Sequence, residues 1–453
     1  MSPLSSIGAG IAMVAAMVAL VAPARAELRA GIAKADVTPP LGGHMYGYGD
    51  RGDNVSSGVH DRLWAKALVL AAGSGAEAAE IAIVTLDLGA FEKDRARRVK
   101  EAVRAASGIE HLFLVASHTH SAPVLELEFP TAQSPYHLDA ERRIAGAVAE
   151  ARAAMRPARL AVGWGKVEEG HNRREVLPDG SVRMRWANRE GKPTTPVDHA
   201  LGVISIDGAD GKPIATLVNF ACHPVVLGPE NLEISADYPG AMMAKVESAI
   251  GGQVMFVQGA AGDINPFWDK TAPADGGFEQ MKKMGETVAA EVLRVRAGLR
   301  SPEDVARIAV RTETIQLGPR WDLDDPAVEA AFRKNEFGWI FERYRQRFPL
   351  ERDAEMSVAL FDDRLAIGFF PGEFFVEHGL RFKRESRVKD TVFAGYTNGA
   401  LGYFPTIRAA AEGGYGATEA TIVEVGAGER LVSRALIDLY SLLGKLPAVP
   451  SFD

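Results

Sequence analysis

The chain has a single cysteine, Cys222, in 453 residues, so no intrachain disulfide can form and the core alone must hold the fold. Beyond the first two dozen residues there is no run approaching the roughly 18 uncharged apolar residues that a transmembrane helix needs. An excess of positive charge is lacking too. The 51 Lys and Arg are outnumbered by 59 Asp and Glu, and the net charge of −8 carries no basic stripe that would attract nucleic acid. No G-x-S-x-G elbow, Walker loop or H-E-x-x-H helix occurs, which sets aside serine-hydrolase, P-loop and zincin chemistry. Nor is there a Pro/Ser-rich linker, a low-complexity tract or a visible internal repeat.

Residues 1–26 read as a secretory signal: Ile7 to Ala22 is apolar, and Ala24-Arg25-Ala26 before Glu27 has the A-x-A form of a cleavage site. Its amino-terminal region carries no Lys or Arg, leaving the α-amino group as the positive charge. The expectation is an exported protein, periplasmic or secreted, whose remaining residues 27–453 form one large domain.

The histidines carry the chemistry. His118 and His120 lie in Leu112 to Pro123 (LFLVASHTHSAP), where a buried-looking strand breaks into small polar residues. Residues two apart on a strand share a face, so both imidazoles can converge on one point. With ten histidines, chance alone gives such a pair roughly one time in five, so it counts only if other ligands join it. His223 ends a second apolar strand, Ile214 to Ala221, just before Pro224. Glu373 follows a third, in Phe369 to Phe375 (FFPGEFF), where a Pro-Gly turn brings a carboxylate into play. Imidazoles plus one carboxylate, with a position left open, is the donor set of catalytic zinc.

Glu80 to Leu88, Phe91 to Ser107 and His111 to Ala116 read as a βαβ unit. Ile214 to Ala221, a helix capped at Asp237 with Pro239 in its first turn, and Gln253 to Gln258 read as another. Ligands collect outside the carboxyl ends of strands in such sheets, so Asp87, His118, His120, His223 and Asp263 are expected along one edge. Met356 to Asp362 and Arg364 to Phe370 read as a hairpin, with helices at Asp325 to Gln346 and Ala427 to Leu443. The expected fold class is α/β, a mixed sheet with flanking helices.

Several short motifs resemble, in order and spacing, the neutral/alkaline non-lysosomal ceramidase family. They are Asp36 to Pro40 (DVTPP), Met45 to Tyr48 (MYGY), Gly58-Val59-His60, Ser117 to Pro123 (SHTHSAP), Asn172-Arg173, Asn219 to Pro224 (NFACHP), Gly262 to Pro266 (GDINP) and Pro371 to Phe374 (PGEF). The resemblance implies a zinc-dependent amidase acting on the N-acyl bond of ceramide or a related lipid, with transient contact to a membrane surface. It implies one zinc per chain, held by His118, His223, Glu373 and a tyrosine, Tyr403 or the competing Tyr415. It makes His120 the acid for the leaving amine and Arg173 the partner of the oxyanion. Spacing alone also allows His120 as a ligand.

Two departures widen the expectation. The family's serine in the G-D-x-S-P-N segment is Asn265 here, which excludes a serine nucleophile but not a metal-activated water. The chain as given ends soon after these motifs, without the immunoglobulin-like domain of full-length members. A zinc hydrolase of another amide or ester is therefore the alternative, and a non-catalytic binding protein the second. The plainer readings are a turn carboxylate for Glu373, a salt bridge to Glu175 or another nearby acid for Arg173, and a packed aromatic for Tyr403. Asp263 is read as a group orienting a ligand histidine, Asp87 as another supporting polar group, and Cys222 as a small core residue.

Overall fold

The computed structural model describes residues 28–73, 78–125, 136–299, 303–334, 341–342, 344–345 and 352–446; the expected signal, residues 1–26, lies outside them. The first main elements are strands β1 (Arg29–Asp36), β2 (Trp64–Ala72) and β3 (Ala79–Leu86), helix α1 (Lys93–Ser107), strand β4 (His111–Ala116) and helix α2 (Tyr136–Ala153). The same succession then recurs as β5 (Arg156–Lys166), β6 (Ala200–Gly208), β7 (Pro213–Phe220), α3 (Asp237–Ile250), β8 (Gln253–Gln258) and α4 (Gly277–Ala297). All eight strands form one sheet in the order β8-β7-β6-β5-β1-β2-β3-β4. The repeat invisible in the sequence is thus present in the topology. Each half contributes two antiparallel hairpin pairings and one parallel βαβ pair, and the halves meet where β1 pairs with β5.

A second sheet, β9 (Ile308–Gln316), β10 (Asp353–Phe361), β11 (Leu365–Phe369) and β12 (Asp390–Ala394), packs on one face of the first. Strand alternation divides the core. Ile83 faces the second sheet with Phe113, Phe369 and Val392, while its neighbour Val84 faces α1 and α2 with Val99 and Ile144. On the other half of the same face, Val218 and Phe256 meet α3 and α4 through Met242 and Val292. Helices α5 (Val376–Glu385) and α6 (Ala427–Leu442) cover the outer face of the second sheet. The result is four layers, helix, sheet, sheet, helix.

Because each βαβ pair lies at one end of the strand order, the expectation of a single edge is corrected: the candidate residues leave from opposite ends of the sheet. The sheet curls until β8 touches β3 and β4. Gln258, fully buried at the end of β8, then bridges the gap, its Nε2 donating to Ser117 O at 3.0 Å and to Cys222 O at 2.9 Å. These are the residues immediately before His118 and His223.

Other expectations need local revision. Asp237 is not a side-chain cap for α3, whose N-cap is Ala236; with φ 57° it turns its carboxylate to Leu227 N and Tyr238 N. The helix expected over 325–346 is described at Pro326–Arg333, and part of the remainder lies outside the described residues. The hairpin, α1 with its left-handed Gly108 cap, and the helix at the carboxyl end match to within a few residues.

Replacing Gln258 by Met, of similar shape, leaves two buried carbonyls without their donor; the unfolding free energy should fall by about 1–3 kcal/mol in a denaturant titration. Asp87 supplies a pH test. Burial pushes its carboxyl from 3.8 up to about 7, against the pull of Lys66. The folded state therefore holds the proton where the unfolded chain has lost it, so this group's contribution declines as pH rises from about 4 to about 7. Asp87→Asn should flatten that part of the stability profile, and an unchanged slope in thermal melts would show that Asp87 does not titrate there.

Candidate metal centre and active site

Three loops deliver the central residues. His118 follows β4, His223 follows β7, and Glu373 lies in a two-residue strand, Glu373–Phe374, after the Pro371-Gly372 turn. His118 does not continue the strand alternation: the strand stops at Ala116 and His118 takes φ 70°, a left-handed conformation rare for a side chain of this size. Its ring is nonetheless firmly set, because Nδ1 lies 2.6 Å from Gly89 O. His223 is set in the same way by Ala261 O at 2.6 Å and Ile264 O at 3.2 Å. A carbonyl at Nδ1 fixes the proton there and frees Nε2 as a donor atom.

The freed Nε2 atoms meet the carboxylate. Glu373 Oε2 is 3.2 Å from His118 Nε2 and 3.2 Å from His223 Nε2, and His120 Nε2 lies 3.3 Å from His118 Nε2. The ligand atoms of the three histidines lie within 4.8 Å of one another. Zinc bound at 2.0–2.1 Å to a tetrahedron of such atoms needs roughly 3.3 Å between neighbours, so the spacing fits the ion. His118, His223 and Glu373 are buried at 2, 1 and 9% exposure, whereas His120 is only half-buried at the edge of the group.

The charges are balanced by one another. Burial pushes Glu373 up, but His118 and His223 overcome it and hold the carboxyl well below the usual range. Burial lowers His223 to about 4 despite Glu373. Burial and the neighbouring imidazoles His118 and His223 likewise hold His120 well below an ordinary histidine. Neutral rings at His120 and His223 and an ionised Glu373 are protonation states that a divalent ion requires.

Arg173 sits beside this group on a different set of supports. Its Nη1 donates to Asn265 Oδ1 at 3.1 Å, and its Nη2 to Gly262 O at 2.6 Å and Tyr403 OH at 3.1 Å. The salt bridge to Glu175 is not formed, since Glu175 pairs with Arg183 and Arg185. Asn265 passes the contact on, its Nδ2 donating to buried Asp269 at 2.9 Å. Of the two tyrosines, Tyr403 is directly in register with Glu373 in a parallel pair of strands, so the two side chains leave on the same face. Tyr415 packs edge-on against Tyr403 at 5.4 Å and against Trp186 at 5.3 Å.

Supporting roles differ from those expected. Asp263 contacts neither imidazole; it accepts from Val376 N at 2.7 Å and Asn172 Nδ2 at 2.7 Å, tying together the loops that carry Glu373 and Arg173. Asp87 accepts from Trp64 N, and backbone carbonyls do the orienting at both histidines. Cys222 is a buried core residue. Gly47, part of the Met45 to Tyr48 motif, has a role that its sequence alone does not disclose. A Cβ there would stand 2.2 Å from His120 Nδ1, so only glycine lets the ring lie where it does. Tyr396 was missed as well, although Gly395-Tyr396-Thr397-Asn398 follows β12 just as the histidine loops follow their strands. Its ring lies over His118 with centroids 4.4 Å apart.

Comparison with known proteins agrees with this fold. The chain superposes with a TM-score of 0.73 on the crystal structure of neutral ceramidase from Pseudomonas aeruginosa, at 20% identity and covering 94% of this chain and 76% of the other. A ceramidase complexed with C2 gives the same TM-score at 18% identity, covering 94% and 77%. These likenesses establish the shared fold. Residues 28–284, more than half the chain, match the model of the neutral/alkaline non-lysosomal ceramidase amino-terminal region. The chain belongs to the neutral/alkaline non-lysosomal ceramidase family.

Proposed function

We propose that the protein is an exported amidase that holds one zinc ion and hydrolyses the N-acyl bond of ceramide or a closely related N-acyl lipid. The observation that carries this reading is the 3.2 Å spacing of Glu373 Oε2 from both His118 Nε2 and His223 Nε2, with His120 Nε2 3.3 Å from His118. Zinc bound there would supply a water with its pKa lowered to about 7 and a Lewis acid for the acyl carbonyl.

The chain's own residues divide the remaining work. His118, His223, Glu373 and, beside them, Tyr403 are the proposed ligands. His120, which is half-buried and neutral, would take a proton from the attacking water and pass it to the departing amine nitrogen. Arg173 forms no ion pair with a carboxylate among the described residues, so its charge remains to be met by the oxygen that becomes negative when the carbonyl is attacked. Aromatic surfaces flank both groups: Tyr48 lies 4.8 Å from His120, and Trp186 5.2 Å from the Arg173 guanidinium. They offer an apolar approach suited to a lipid amide. Among the described residues no helix is long and apolar enough to cross a membrane, so the lipid would be met from the aqueous side.

A second reading keeps the metal and changes the substrate to another amide or ester. Asn265 favours it, because it replaces a hydroxyl with an amide in direct contact with Arg173 and Asp269. The two are separated by fatty-acid release from an N-acylsphingosine, with zinc-loaded and chelator-stripped protein compared. Release that chelation abolishes is expected. No release by protein holding one equivalent of zinc rejects the ceramide substrate and moves the test to a panel of amides and esters. Ligand binding without turnover of any of them at saturating zinc would identify a binding protein.

Substitution tests the division of roles. His118→Ala should lose both zinc and turnover, whereas His120→Ala should keep zinc and lose about 10²- to 10⁴-fold in kcat. Zinc lost from His120→Ala would make that residue a ligand. Gly47→Ala should mimic His120→Ala, lowering kcat at full zinc occupancy, because the added methyl displaces the ring.

A further inference from the structure

Tyr396 combines two features that a fold does not keep without cause. Its hydroxyl is buried and has no hydrogen-bond partner among the described residues, and its backbone is left-handed at φ 54° although the side chain is a bulky aromatic. Each is unfavourable on its own. The surrounding structure imposes them together. Gly395 N donates to Gln258 O at 2.9 Å, Tyr396 N to Gly372 O at 3.1 Å, Thr397 N to Phe370 O at 2.9 Å and Asn398 N to Leu114 O at 3.0 Å. The Tyr396 carbonyl in turn accepts from Ala116 N at 3.1 Å. The loop is thereby tied to the end of β8, to the turn before Glu373 and to β4, the strand before His118.

The ring is held where the chemistry is proposed to occur. It lies over the His118 imidazole at 4.4 Å, and its centroid is 6.3 Å from that of His223. Two other buried polar atoms nearby also lack partners, Nδ1 of His120 and Nε of Arg173. Unpaired buried groups on the residues of a proposed site mark places where a ligand can complete the hydrogen bonding. Those of His120 and Arg173 belong to residues already given a role; the phenol does not.

We infer that Tyr396 is a further catalytic residue, its hydroxyl donating a hydrogen bond to the acyl carbonyl oxygen as that oxygen becomes negative. The inference rests on the amidase reading above. When water oxygen adds to the carbonyl carbon, one water proton passes to the neutral His120 ring and the π pair moves to the carbonyl oxygen, which Tyr396 and Arg173 stabilise while the phenol keeps its proton. Collapse then breaks the C–N bond, and the nitrogen leaves with the proton from His120, giving a carboxylic acid and an amine.

Tyr396→Phe in the zinc-loaded full chain is the test. It removes only the hydroxyl, so zinc affinity, measured by competition with a chromophoric chelator, should be unchanged. The melting temperature should stay level or rise, because an unpaired buried hydroxyl is lost. For amide turnover kcat should fall about 10²- to 10³-fold with KM little altered. Dodecylphosphonate, whose tetrahedral anion mimics the developing oxyanion, should bind at least about 10-fold more weakly by calorimetry. Unchanged kcat together with unchanged phosphonate affinity would overturn the inference, and loss of zinc would overturn it by making Tyr396 a ligand. Should the wild-type protein cleave no amide at all, the amidase reading fails, but the phosphonate comparison still decides whether the hydroxyl meets an anion beside the metal.

Discussion

The Gln258 side chain joins what the strand order separates. Its amide donates to Ser117 O and Cys222 O, the two carbonyls that precede His118 and His223, and its own carbonyl oxygen accepts from Gly259 N at 3.0 Å. Its backbone oxygen takes Gly395 N, which begins the Tyr396 loop. One fully buried residue thus fixes the relative positions of three loops. A displacement of even 1 Å at a metal centre or reacting carbonyl is costly, so rigidity at this point is a condition for everything built on it. A side-chain amide suits the task because it offers two donors and an acceptor without bringing a charge into the core.

Around this joint the two halves of the large sheet supply the same parts in opposite order. In the first half the histidine follows the last strand, β4, and the carbonyl that orients it, Gly89 O, follows the strand before. In the second half the histidine follows β7, and the orienting carbonyl, Ala261 O, follows the last strand, β8. Each imidazole is therefore braced by its own half, while the joint between halves sets only the distance between them. Glu373 arrives from the second sheet, which is why a carboxylate can lie 3.2 Å from both rings without either half having to carry it. Asp263 ties that incoming loop to the Arg173 segment through Val376 N and Asn172.

What the sequence displayed was local. A strand that ends in His-x-His, another that ends in His-Pro and a Pro-Gly-Glu turn were each readable, because period-two burial and turn chemistry act over a few residues. His111–Ala116 and Gln253–Gln258 match their expected bounds for the same reason. What was hidden was long-range. Nothing in Ile214 to His223 reveals that the sheet curls to bring β8 onto β4, or that a six-element order is used twice, since topology can repeat where side chains have diverged. His118 was expected to share a strand face with His120; it reaches the site through a left-handed turn instead, at a φ that the residue types do not announce. Sequence proximity offers Arg173 the carboxylate of Glu175, yet its contacts come from positions 262, 265 and 403. Gln258 and Tyr396 were overlooked because a lone amide or phenol at a strand end carries no motif.

The burial pattern explains how such a site can be both stable and reactive. In part of the site the polar groups are matched: Nδ1 of His118 and of His223 each meet a carbonyl, and Glu373 lies 3.2 Å from both Nε2 atoms. A carboxylate this deeply buried would be prohibitively costly alone, and it is kept ionised only by the rings beside it. Elsewhere in the site the matching fails, with Nδ1 of His120, Nε of Arg173 and the Tyr396 hydroxyl left unpaired. Groups of that kind are poor choices for stability, since each forgoes a hydrogen bond that the unfolded chain makes with water. They are good choices for a reaction in which charge appears on an oxygen and then on a nitrogen, because partners already desolvated and aimed need no reorganisation when that charge arrives. The contrast between satisfied and unsatisfied groups therefore separates the residues proposed to hold an ion from those proposed to act on what the ion binds.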